Sequence, residues 1–102
     1  MVSLNKNLIR ESIKHYGEEM QLNVAIEEMS ELTKEICKHK RGASNRKEIV
    51  EEMADVLVMF GNLRIIFGVN DSELDMAIIK KQERLAERMK AERRESIYGK
   101  GI

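Results

Sequence analysis

Proline and tryptophan are absent from this chain, cysteine occurs once, and the only aromatic side chains are two Phe and two Tyr. Without proline, nothing covalent interrupts a long helix. One cysteine excludes an internal disulfide framework and says nothing against a reducing cytosol. No surplus of one charge exists either: 18 basic side chains offset 18 acidic ones. That balance argues against a partner held by bulk charge, nucleic acid above all. Apolar runs are only a few residues long, too short to span a bilayer. The opening Met1-Val2-Ser3-Leu4-Asn5-Lys6 lacks the apolar stretch and small-residue cleavage site of a signal peptide. A cytoplasmic, soluble protein with no membrane or nucleic-acid partner is expected.

What remains is a helix-former's alphabet rich in Glu, Lys, Arg, Met, Leu and Ala. At 102 residues the chain fits one domain spanning 1–102, with a core over about 4–94. Its 42% hydrophobic content can build a core, but so small a domain buries a modest share of its surface. A homo-oligomer, dimer or tetramer, is therefore expected to complete it. No strand-like alternation appears. Glycines punctuate four helices: about Leu4–Tyr16, Glu18–Arg41, Arg46–Phe67 and Asp71–Arg94. Lys38, His39, Lys40 and Arg41 suit the negative end of the second helix. Ser44 or Asn45 would cap the third, and Ser72 with Asp75 resembles a capping box for the fourth. Gly61 falls inside the third helix at about 1 kcal/mol against Ala. The tail 95–102 is expected to fray. The fold class is all-α, a four-helix bundle-like protomer.

Apolar stripes at Leu22, Ala25, Met29, Leu32 and Ile36, and at Ile49, Met53, Val56, Phe60, Leu63 and Phe67, each occupy one helix face. The seven methionines read as core filler. Cys37 reads as a packing residue, and His15 and His39 stand isolated.

One local repeat stands out. Glu27-Glu28-Met29-Ser30-Glu31 returns, 24 residues later, as Glu51-Glu52-Met53-Ala54-Asp55. Each copy sets an acidic pair at i and i+3, Glu28 with Glu31 and Glu52 with Asp55, flanking its apolar stripe. Glu27 and Glu51 point away. If the two helices pack antiparallel, four carboxylates converge. Packed like charges need a neutraliser, and oxygen donors suit Mg²⁺ or Mn²⁺. A di-iron bundle would want Glu-x-x-His, which neither copy has. The competing reading is an ordinary solvated Glu-rich surface.

On the fourth helix, Leu74, Ile78 and Leu85 define a stripe that also contains Lys81, with Arg84 and Arg88 on its flank. A core-facing Lys requires an anion, or it snorkels and pairs with a nearby Glu; both readings stay open. Carboxylate-held metal with inward Lys and Arg is equipment for a polyphosphate.

Glu-Glu-Met-Ser-Glu-Leu followed by Glu-Glu-Met-Ala-Asp-Val-Leu resembles the MazG-type nucleoside triphosphate pyrophosphohydrolases, which carry Glu-x-x-Glu and then Glu-x-x-Asp on successive helices. Asn62-Leu63 is similar to an Asn-Leu pair of that family, and Lys81-Gln82-Glu83-Arg84 to a Lys-Phe-Glu-Arg stretch, with Lys80 the other candidate for the lysine. The resemblance covers about Tyr16 to Arg94. It implies intertwined dimers, often paired into tetramers, and Mg²⁺-dependent hydrolysis of an NTP or dNTP between the α and β phosphates, a nucleotide-pool house-cleaning activity. It implies metal ligation by Glu28, Glu31, Glu52 and Asp55, with Glu31 preferred as the base. It also implies that Lys81 and Arg84 hold the outer phosphates. Gln21 and Asn62 are candidate base or ribose contacts, since no Trp is available to stack a base. The alternatives are a phosphoribosyl-nucleotide pyrophosphohydrolase of the same superfamily and a non-catalytic helical oligomerisation module.

Overall fold

A computed structural model describes residues 2–100, with the side chains of residues 2–96. It has four helices: α1 (Lys6–Tyr16), α2 (Glu18–Lys40), α3 (Arg46–Ile66) and α4 (Asp71–Lys100). No strand occurs among the described residues. The chain forms two compact units, Met1–Gly68 and Val69–Ile102.

In the first unit, α2 and α3 form the principal pair and α1 lies against both. The pairing is antiparallel: Glu35 near the end of α2 meets Asn45 at the start of α3, and Glu28 further back meets Glu52 further on. Gly17, at φ 90°, is both the last residue of the α1 cap and the start of α2. That left-handed backbone lets two helices turn at a single residue, which a Cβ would strain.

Gly61 now has a reason for its helical cost. A Cβ there would sit 2.8 Å from the Ile9 Cδ1 and 2.9 Å from the Leu4 Cδ1. The missing side chain is what lets α1 approach α3. The approach is fixed by polar groups as well: the Ser12 hydroxyl lies 2.7 Å from the Ile9 carbonyl and 3.3 Å from Asn62 Oδ1. Its single proton is shared between those acceptors.

Capping departs from the sequence expectation twice. Asn45 is the N-cap of α3, but its side chain makes no cap bond. Its Nδ2 donates instead to the Glu35 carbonyl (2.9 Å) and carboxylate (2.6 Å). For α4 it is Asn70 Oδ1 that accepts, from the Glu73 N–H at 2.8 Å, so Ser72 and Asp75 do not form the box. The expected tail begins inside α4, which continues to Lys100; its last two residues, 101 and 102, lie outside the described residues.

The core is narrower than the stripes suggest. Its fully buried apolar members are Ile9, Ala25 and Met59. Met29, Ile36, Met53, Phe60 and Phe67, all on those stripes, are exposed. The stripe members Leu22, Ala25, Leu32, Ile49, Val56 and Leu63 are buried or half-buried, and the seam runs on from them through Gln21, Glu28 and Glu35 on α2 and Glu52, Met59 and Ile66 on α3. Each seam is rotated from its stripe by roughly 60° at about 100° per residue. The methionines are thereby corrected too: among the described ones only Met59 is buried. Cys37 is exposed and does not pack.

In the second unit, only Leu74 is half-buried among residues 71–96. Ile78, Ile79, Leu85 and Met89 are exposed, and so is Lys81. Lys81 is thus not core-facing within the chain.

Candidate metal centre

The rotation of α2 and α3 carries the acidic repeat from the flank of the stripe into the seam. Glu28 and Glu52 are half-buried there, and Asp55, one turn along α3, is exposed. One ligand oxygen from each of the three lies within 4.8 Å of the others. Glu31 is half-buried on the next turn of α2 and is not among them. The structure therefore brings together three of the four expected carboxylates.

Their electrostatics follow from that crowding. Partial burial disfavours the Glu28 charge, and the Asp55 and Glu52 carboxylates beside it add repulsion and accept its proton in hydrogen bonds; its pKa is pushed up from 4.5 to about 7. Glu52 Oε2 is buried with no hydrogen-bond partner. A buried carboxylate oxygen without a donor is costly, and a hard cation is the group that satisfies it together with its neighbours. The residues therefore fit a divalent cation, with Glu28, Glu52 and Asp55 as its holders. Among the described residues no ligand of the His or Cys type joins them, which keeps Mg²⁺ or Mn²⁺ ahead of zinc.

The other expected site residues fall elsewhere. Gln21 is 6% exposed, a seam residue where a surface glutamine is the commoner expectation. Asn62 is 2% exposed and turned toward its own fold, its Nδ2 donating to the Val58 carbonyl at 3.3 Å while Oδ1 faces Ser12. It ties α1 to α3, a role that leaves its amide little to offer a base or ribose. Lys81 and Arg84 are exposed on α4, in the second unit.

Sequence reasoning missed Glu35. It is buried, accepts from Asn45, and pairs with Lys38 Nζ at 3.2 Å. The Asn45 donor, helped by Lys38, holds its carboxyl below the usual range. Its signal was available: Glu35 follows Glu28 by seven residues, which is the same helix face.

No family model, no curated protein and no solved structure matches the chain. No helix is long and apolar enough to cross a membrane among the described residues.

Proposed function

We propose that this chain is a Mg²⁺- or Mn²⁺-dependent nucleoside triphosphate pyrophosphohydrolase, working as a cytoplasmic homo-oligomer. The observation that carries the reading is the trio Glu28, Glu52 and Asp55, with one ligand oxygen of each within 4.8 Å of the others, and with Glu52 Oε2 buried and without a hydrogen-bond partner. Three carboxylates placed so close are unfavourable without a cation. The likeness of the acidic motifs to MazG-type enzymes supports the substrate class.

Water would attack the α phosphorus, the bond to the α–β bridging oxygen would break, and pyrophosphate would leave with the monophosphate as the other product. The bound cation would supply the positive charge that the triphosphate and its leaving group need. Glu28, Glu52 and Asp55 would hold it. Glu31, one turn from Glu28 and outside the crowded trio, would take the proton of the attacking water. Lys81 and Arg84, exposed on α4, are the cations that the family resemblance assigns to the outer phosphates.

The test is pyrophosphate release from each common NTP and dNTP with Mg²⁺ or Mn²⁺. Turnover of at least one is expected, reduced by about 10³-fold or more in Glu52→Gln. No release from any nucleotide, or wild-type turnover in Glu52→Gln, would leave a helical module and sink the enzyme reading. Turnover confined to a phosphoribosyl-nucleotide would move it to the alternative substrate.

A further inference from the structure

The α2–α3 pair segregates its charge. Residues 18–33 carry five Glu and no Lys or Arg, and residues 48–63 carry three Glu, one Asp and no Lys or Arg. The stretch between them, 34–47, has six Lys or Arg against the single acid Glu35. Antiparallel pairing gathers those six at one tip, where Asn45 is bonded to Glu35. Lys38 pairs with Glu35. Lys34, Lys40, Arg41, Arg46 and Lys47 are exposed, and the last four make no ion pair among the described residues.

Part of this tip is explained by its own helix. Lys38, His39 and Lys40 lie in the last turn of α2, where cations complement the dipole. The same account fails for Arg46 and Lys47. They open α3, whose positive end favours acids, and Asn45, the residue placed to cap it, makes no cap bond and donates to Glu35 instead. Two cations at an uncapped helix start are not explained by local stability. Beside them lies a cleft of ≈ 670 Å³, lined by His39, Arg46, Ile49, Val50 and Met53 among others, a volume that suits a bound ligand or a few residues of peptide. Ile49 is half-buried, and Val50 and Met53 are 54% and 50% exposed. From Arg46 to Met53 is about 10 Å of helix, the span of about three extended peptide residues.

We propose that the tip and its cleft dock an acidic peptide segment of another protein, whose carboxylates meet Arg46 and Lys47 while adjoining apolar side chains cover Ile49, Val50 and Met53. Clustered cations select an acidic motif, and the apolar floor requires that the motif continue into apolar residues. The order is fixed as well, because acids placed further along α3 would meet the carboxylates of 48–63. A nucleic acid fits less well. Its backbone offers the floor nothing apolar, and phosphates beyond the tip would approach Glu31 and Glu48, each within three residues of a tip cation and inside the ~8 Å screening length of physiological salt. The proposal rests on charge placement and helix geometry, and it stands or falls apart from the enzymatic reading.

Fluorescence anisotropy of the full chain tests it, with a labelled probe peptide in which a run of Glu and Asp precedes a pair of Leu. A dissociation constant on the order of 10–100 µM is expected, weakened several-fold between about 50 and 200 mM salt. Arg46→Glu combined with Lys47→Glu should weaken binding about tenfold or more. Val50→Glu, on the cleft floor, should weaken it by about as much. Lys90→Glu, an exposed cation on α4, should leave it unchanged. The doubly substituted chain should melt no lower than the wild type, since acids favour that end of α3; a lower melting temperature would make both cations structural and overturn the proposal. So would an absence of binding up to about 1 mM peptide. Equal binding of the peptide with Gln for every acid, or with Ser for both Leu, would also overturn it, as would tighter binding of a single-stranded oligonucleotide of equal charge.

Discussion

Glu28 and Glu35 lie seven residues apart on α2, which returns them to one side of the helix. Both turn toward α3, and their surroundings oppose one another. At Glu35 the chain supplies donors: Asn45 at 2.6 Å and Lys38 at 3.2 Å. At Glu28 it supplies two further carboxylates. The first arrangement holds its proton affinity down, and the second raises the pKa to about 7. Helix position and burial do not decide whether an inward Glu is a structural tie or a ligand awaiting a cation. The partners on the facing helix decide it.

The sharpest way to break that contrast is at Asn45. Asn45→Ala removes both bonds to Glu35 and leaves a buried carboxylate with Lys38 alone. A loss of about 3 kcal/mol in unfolding free energy is expected from urea denaturation. A loss below about 1 kcal/mol would mean that Glu35 and Asn45 are not a structural tie.

Added Mg²⁺ should act at the other glutamate. Binding to the folded chain alone stabilises it by about 2.7 kcal/mol at a hundredfold excess over Kd. Glu35→Gln should keep that gain and Glu52→Gln should lose it; equal responses would erase the distinction. Because Glu28 holds a proton up to about pH 7, the cation must displace it. Apparent affinity should fall about tenfold per pH unit below 7, with one proton released on binding, measured by calorimetry in two buffers.

The smallest effect is expected without metal. Glu28 has a pKa of about 7 in the folded chain against 4.5 ordinarily. Between those values the folded state holds the proton and the unfolded state does not. Its contribution to stability therefore declines as pH rises from 4.5 to 7 and is level above. Glu35 has the opposite sign: its lowered pKa contributes stability above the ordinary value that is lost as pH falls into the acid range. Glu28→Gln should raise the stability of the metal-free chain by on the order of 1 kcal/mol at pH 8, allowing for screening at a half-buried group, and flatten the slope between pH 5 and 7. Thermal melts of the two proteins across that range show whether the slope belongs to Glu28.

Much of this was readable from residues alone. Glycines and helix-formers located the helix bounds to within two residues except at the end of α4, which runs six residues past Arg94, because those preferences are local. The acidic repeat was readable because two copies share one helical phase, and three of its four carboxylates meet. Glu31 does not join them, since membership depends on where α3 crosses α2 and not on spacing within α2. Asn62 and Gln21 looked like polar residues available to a ligand, and both are buried, because neither the α1 contact at Asn62 nor the seam at Gln21 has a sequence period.

The chain's sequence by itself determined the helical class, the turn positions, the absence of a disulfide within the chain and the phase of the carboxylates relative to the apolar residues. All of these depend on short-range geometry, in which 3.6 residues make a turn and glycine relieves a positive φ. Tertiary structure alone decided which part of each wide apolar arc a single chain buries. Periodicity marks an arc as apolar without saying how many neighbours share it. Here α2 and α3 meet along its acidic edge, which gathers Glu28, Glu52 and Asp55, and its opposite edge, with Met29, Met53 and Phe60, stays in water.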